Sequence, residues 1–273
     1  MELSSLHMAM MAVQTAAGLL LPALAALVLW KKYGCQRRHF FTGCAVFLLF
    51  AVVLEGLAHS LVLGGAAGSA IRSSRWLYAL YGAAMAGLFE ELGRYTAFRT
   101  VLRRRLDADK NALMYGAGHG GFECFYLLFF AGINNLLLAS AFRSGGTEGV
   151  LAMTGGDAAL AQQLIDSLLS TVPGLYLLGV VERCLAMTLH MALSVPVWFA
   201  AKNGGRQKGL LALAILLHFA LDFVTVSLNG LVPALALEGI LALMVVGMVL
   251  LARKIWRRCA TSEEGGNAAE QSG

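Results

Sequence analysis

Three ionisable residues, Glu90, Glu91 and Arg94, stand within five positions inside an apolar run from about Trp76 to Phe98. The same intrusion recurs further along the chain. A fourth apolar run holds His119 and Glu123, a fifth holds Glu182, Arg183 and His190, and a sixth holds His218 and Asp222. Glu90 with Arg94, His119 with Glu123, and His218 with Asp222 are each four positions apart, which in a helix places both members on one face. Carboxylates and imidazoles gathered at one buried place can deprotonate a water, the carboxylate as general base and a histidine orienting it. A second histidine with an aspartate can hold a developing oxyanion. That is hydrolase chemistry. A metal variant also stands open, with His119, His190 and His218, or two of them with a carboxylate, completing a zinc site of His₃ or His₂Glu type that keeps one position for water. No HExxH helix is present, however, and one histidine per helix predicts no geometry.

The elements that must position these groups are membrane-spanning helices. The chain has 273 residues, of which 58% are hydrophobic and 14% charged, with a mean hydropathy of +0.70. Soluble domains are roughly 45–50% apolar and about 25% charged, so the excess apolar surface has to face lipid. The fold class is therefore all-α, a polytopic membrane helix bundle. Seven stretches reach the roughly 20 apolar residues that a crossing needs: about 7–30, 40–63, 76–98, 112–139, 174–200, 210–231 and 233–252. The first is too long for a signal-peptide core and lacks a basic flank before it, which reads as a retained helix.

Charge in the connections alternates. Lys31, Lys32, Arg37 and Arg38 follow the first stretch, Arg99, Arg103, Arg104, Arg105 and Lys110 the third, Lys202, Arg206 and Lys208 the fifth, and Arg253, Lys254, Arg257 and Arg258 the seventh. The opposite connections carry only Arg72, Arg75 and Arg143, with the acids Glu148, Asp157 and Asp166. The positive-inside rule then sets the N-terminus outside and the C-terminus in the cytoplasm. The net charge of +5 is accordingly a topology signal. Without aromatic residues interleaved for base stacking, it does not point to nucleic acid. Five scattered cysteines with no CxxC argue against a disulfide framework or a thiolate zinc site. Residues 1–258 read as a single integral-membrane domain and 259–273 as a disordered cytoplasmic tail. The long connection over 140–173 is Gly-rich and then amphipathic, with Ala158, Leu160, Ala161, Leu164, Ile165, Leu168 and Leu169 at helical spacing, suiting an interfacial helix, a gate or a linker.

Depth sharpens the site. At a rise of about 1.5 Å per residue, Glu90 lies about 14 Å from the basic end at Arg99, His119 about 14 Å from Lys110, His218 about 15 Å from Lys208 and His190 about 18 Å from Lys202. Four groups on four helices share a level near the middle of a core about 30 Å thick, with Glu123 and Asp222 about a turn further out. Structural polar residues have no reason to share a depth, whereas groups around one cavity do. Other intramembrane polar residues read as structural. His59 with Glu55 suits a helix–helix hydrogen bond, Glu182 with Arg183 a simple pair, Glu238 the first turn after Pro233, and Gly116, Gly118, Gly120 and Gly121 close helix packing.

At these residues the sequence resembles the glutamic-type intramembrane proteases related to the CAAX prenyl proteases. Within that clan it is most similar to the YhfC family of membrane peptidases, with a likeness also to PrsW-type proteases. The motifs are Glu90-Glu91-x-x-Arg94, Tyr115-x-x-x-His119 and His218-x-x-x-Asp222. Arg94 stands one residue closer than in the CAAX form EExxxR and matches the PrsW-type EExxK spacing; Phe122-Glu123 is similar to a PrsW-type element, and Tyr115 replaces the usual phenylalanine. The resemblance covers roughly 89–222. It implies an intramembrane endopeptidase of the plasma membrane, glutamic or metal-dependent, acting on membrane proteins or lipidated peptides. The catalytic residues would be Glu90, Glu91, His119, His218 and Asp222, with Arg94, Glu123 and His190 supporting. Glu90 with His119 would activate water, and His218 with Asp222 would stabilise the oxyanion. The rival readings are a proton-coupled transporter, since mid-membrane carboxylate–histidine chains also relay protons, and a non-catalytic membrane scaffold.

Overall fold

In a computed structural model of the chain, residues 3–270 are described, with side chains to residue 260. The expected tail over 259–273 therefore lies largely outside the residues whose side chains are described. The described chain is helical, and its one β-bridge, Asn229 to Val232, closes a turn. The helices are α1 (Ser5–Lys31), α2 (Arg37–Gly64), α3 (Gly68–Ser73), α4 (Arg75–Arg99), α5 (Asn111–Met153), α6 (Ala158–Ser170), α7 (Pro173–Asn203), α8 (Gly209–Leu228) and α9 (Ala234–Glu270).

Six of them, α1, α2, α5, α7, α8 and α9, are long and apolar enough to cross a membrane. The protein is an integral, multi-pass helical bundle. The remaining expected span, 76–98, forms as α4, 25 residues long. It falls short on composition alone, because Glu90, Glu91 and Arg94 lower its hydropathy. Those three charges are buried inside the protein and do not face lipid. Its start is set by Ser74, an extended residue whose hydroxyl accepts from the backbone N–H of Leu77 at 3.4 Å. This N-cap satisfies one of the helix's open donors.

By its packing the chain divides into two compact units, residues up to Leu24 with Glu123–Cys184, and Ala25–Phe122 with Leu185 onward. In the first unit, α6 presents Ala161, Ile165 and Leu168 to a core that includes Met11, Leu138, Ala139 and Val150. The amphipathic face seen in the sequence is thus buried within this unit and is not laid on an interface. Asp157 caps α6 by accepting from the N–H of Leu160 at 3.0 Å. Helix α5 continues past its expected end at 139 to Met153 and is broken at Gly146, where φ is 58°. Glycine alone adopts that conformation at little cost.

In the second unit, α4 packs along α8, its most extensive neighbour. A methyl group at Gly87 would come within 3.0 Å of the carbonyl oxygen of Ile215, so glycine there lets α8 lie close enough for His218 to reach α4. The Arg75 guanidinium donates to the carbonyl of Asn229 at 2.5 Å, tying the start of α4 to the end of α8. The glycines of α5 serve the same purpose. A methyl group at Gly116 would stand 2.5 Å from Cα of Met191 on α7, and one at Gly118 would stand 2.0 Å from the carbonyl oxygen of Phe40 on α2. At the far end Asp109 accepts from Trp198 Nε1 and from Lys202 Nζ, both at 2.8 Å, which fixes the last turns of α7. Helix α2 widens to π geometry over Phe47–Glu55, and this stretch lies beside α4.

Candidate active site

Four helices of the second unit deliver one polar group each to a common place. Glu90 comes from α4, His119 from α5, His190 from α7 and His218 from α8, and all four are buried. His119 Nε2 lies 2.8 Å from Glu90 Oε2, His190 Nδ1 lies 3.8 Å from the same oxygen, and His218 Nε2 lies 4.0 Å from Glu90 Oε1. The imidazoles of His119 and His190 are 4.9 Å apart between ring centres, and those of His190 and His218 are 5.4 Å apart. The shared depth counted along the sequence is thus matched by shared position across the bundle.

Around this group stands a second set. Glu91 is wholly buried between Arg94, with which it forms an ion pair, and His218, whose Nδ1 donates to Glu91 Oε1 at 2.8 Å. The other nitrogen of His218 faces Asp222 Oδ2 at 3.4 Å. Carboxylates only accept, so His218 can present an N–H at either nitrogen. Arg94 Nη2 lies 3.0 Å from His190 Nδ1. A guanidinium can only donate, so that nitrogen is the acceptor. Asp222 is the most open member, its side chain 27% exposed. Phe47 meets the His119 ring edge-on at 5.2 Å, and Tyr115 stacks on it at 6.0 Å, holding that ring in an apolar wall.

Not every residue singled out above joins this cluster. Glu123 lies in the other unit, where its ion-pair partner is Arg183, which also holds Glu182 at 2.5 Å; this is the pair expected of Glu182, with Glu123 added. His59 accounts for itself as a helix–helix contact, with Nε2 3.2 Å from Glu55 Oε1 and Nδ1 2.9 Å from the Tyr81 hydroxyl on α4. Glu55 is the residue that motif reading passes over. It is buried and close enough to Glu90, His218 and Asp222 to feel their charges. Its depth is the available signal, since about 25 Å from Arg38 puts it within about a turn of Asp222.

Whether the centre can hold a metal depends on its donor atoms. The three residues that close on one another are Glu90, His119 and His190, with ligand atoms all within 4.8 Å. Of the two donor sets left open by the sequence this is the His₂Glu form, and His218 is engaged by Glu91 and Asp222. Two imidazoles and a carboxylate form a known catalytic zinc donor set, so the chemistry fits. The fully buried hydroxyl of Tyr115, one turn before His119, has no hydrogen-bond partner among the described residues, and a bound polar species would satisfy it. One contact has to yield, since the lone pair of His190 Nδ1 cannot serve both Arg94 and a cation. The Glu91 carboxylate remains to hold the guanidinium.

Fold and site together define a polytopic membrane protein with a buried carboxylate–imidazole centre. The chain belongs to the YhfC family, whose model, described as YhfC intramembrane metalloprotease, matches residues 17–251. It is 35% identical over 241 residues to the uncharacterized membrane protein YhfC of Bacillus subtilis (strain 168), covering 86% of this chain and 90% of that one. No solved structure matches it.

Proposed function

We propose that this protein is an intramembrane endopeptidase whose hydrolytic centre is metal-dependent, with Glu90, His119 and His190 as the ligands. The observation that carries this reading is the convergence of those three donors, from three helices, in a buried place. Zinc held there would polarise the scissile carbonyl and make a bound water acidic. The remaining work falls to the chain's own groups. Asp222, the most open carboxylate of the cluster, takes the water proton as oxygen attacks the carbonyl carbon, and returns it to the leaving amine nitrogen as the C–N bond breaks. His218 presents Nε2–H towards the oxyanion, and Glu91 fixes its ring from the other side. Arg94 offsets the charge of Glu91 and is a positioning residue.

A metal-free reading rests on the contact between His119 and Glu90, 2.8 Å long, which suits Glu90 as the general base. One experiment separates the two and tests both. The purified protein and its Glu90→Gln, His119→Ala, His190→Ala and Asp222→Asn variants are assayed for cleavage of a membrane-peptide library in liposomes, and their metal content is measured. The metal-dependent reading expects about one zinc per chain in the wild type and in Asp222→Asn, and little in the other three. It also expects cleavage to fall by about 10²–10⁴-fold in Asp222→Asn. Full wild-type cleavage in the presence of a strong chelator would leave only the metal-free form. Equal cleavage by wild type and all four variants would remove the protease reading altogether.

A further inference from the structure

The second unit contains a cavity of about 420 Å³ that takes no part in the site just described. It lies between α7 and α9, with Leu113 of α5 and Met191 of α7 also in its lining. From α7 it is lined by Thr188, Ala192 and Val195, and from α9 by Val249, Ala252 and Trp256. Each set has the i, i+3/i+4, i+7 spacing of a single helical face. These faces do not close on one another, and the residues say why. Ala192, Val195, Val249 and Ala252 are small, and one turn on from Val195 the Phe199 ring meets Trp256 edge-on, with centroids 6.0 Å apart. Two large rings prop the helices while alanine and valine leave the space beside them empty. The walls are almost wholly hydrocarbon, but the lining also includes Arg253 and Arg257, one turn apart and exposed, at the polar end of the last apolar stretch.

An apolar slot with two guanidinium groups and an indole at one end matches an amphiphile with a hydrocarbon chain and an anionic head. Free anions would leave the slot unfilled, and neutral lipids would make no use of the basic groups at its end. Basic pockets between membrane helices select acidic headgroups in this way, each cation near the surface contributing about 1 kcal/mol, and tryptophan favours the headgroup level. We propose that the α7–α9 cavity is a binding site for an anionic phospholipid of the surrounding bilayer. One acyl chain lies against Ala192 and Ala252, and the phosphate is held by Arg253 and Arg257. The site shares α7 with the hydrolytic centre, since Thr188 and Ala192 lie two residues either side of His190.

Spin-labelled phosphatidylglycerol and phosphatidylcholine, each as a trace probe in phosphatidylcholine nanodiscs carrying the purified protein, test this by the immobilised fraction of their spectra. Two arginines predict about a five- to thirtyfold preference of the wild type for phosphatidylglycerol over phosphatidylcholine. In Arg253→Gln/Arg257→Gln that preference falls to near one. Lys254→Gln/Arg258→Gln, with the same loss of charge on neighbouring positions that do not line the cavity, retains it. Ala252→Leu fills the slot and lowers the immobilised fraction of both probes, and Val249→Leu provides a second filling variant should Ala252→Leu not fold. No preference in the wild type, or an equal loss in both charge variants, would overturn the proposal and leave only a basic membrane surface.

Discussion

The buried pair of Glu91 and Arg94 makes a quantitative prediction. Both side chains are fully enclosed, and they are ion-paired within a single helix. Replacing Arg94 by methionine keeps the side-chain volume roughly constant but leaves Glu91 with only the His218 bond to offset a charge with no solvent. Breaking a buried pair from one side costs about 3–5 kcal/mol, because the surviving charge stays behind. Glu91→Gln leaves Arg94 in the same position, with His190 as its remaining contact. The double variant removes both charges, so part of the penalty should disappear. We expect each single variant to lose about 3 kcal/mol or more. The double variant should lose less than the two singles together by about 2–3 kcal/mol, near the upper end of measured coupling energies. The assay is unfolding of the purified protein in mixed micelles titrated with sodium dodecyl sulfate, for wild type, both singles and the double. Losses that add to within about 0.5 kcal/mol, as those of independent sites do, would refute the reasoning, because the two charges would then not be acting as a unit.

Further outcomes follow from the same geometry. In Gly118→Ala the new methyl group meets the Phe40 backbone at 2.0 Å. Overpacking of that kind should destabilise by about 1–3 kcal/mol. Gly247→Ala, with open space around it in α9, should gain about 0.5–1 kcal/mol; the opposite signs are read in the same micelle titration. Tyr81→Phe removes the hydroxyl bonded to His59 and should cost about 0.6 kcal/mol, the average for hydrogen bonds between membrane helices. If the loop charges set the orientation, a reporter that works only in the cytoplasm will be active when fused after the last residue and silent when inserted between α2 and α3.

Much of this is legible in the sequence, because hydropathy and depth are one-dimensional properties. Counting residues from the basic loops places Glu90, His119, His190 and His218 at one level, and the helices bring them together there. The count cannot say how each helix is turned about its axis. That is why it leaves open whether three histidines, or two with a carboxylate, would hold a metal, whereas in the fold His218 turns to Glu91 and Asp222 and Glu90 closes with His119 and His190. Periodicity likewise finds the apolar face of α6 but not its partner, since an amphipathic stripe fits a membrane surface and a protein core equally well. The helical turns of α5 beyond 139 are hidden by glycines, which lower helix propensity and at Gly146 do break the run, without preventing helix on either side of it. The motif around Glu123 suggests a supporting residue of the site, yet its charge is matched by Arg183 within the other unit.

The charged middle of α4 also bears on how the protein is made. Each of Glu90, Glu91 and Arg94 resists entry into the bilayer by about 2.5–3.5 kcal/mol at the helix centre. Arg94 is only three positions behind Glu91, but His218, which completes the enclosure of both glutamates, is synthesised roughly 120 residues after Arg99. At about 5–20 residues per second that interval lasts about 6–24 s. During it α4 cannot rest stably in lipid on its own hydrophobicity. It has to wait in the translocation machinery or beside earlier helices until α7 and α8 arrive, so that the residues that equip the protein for chemistry also time its assembly in the membrane.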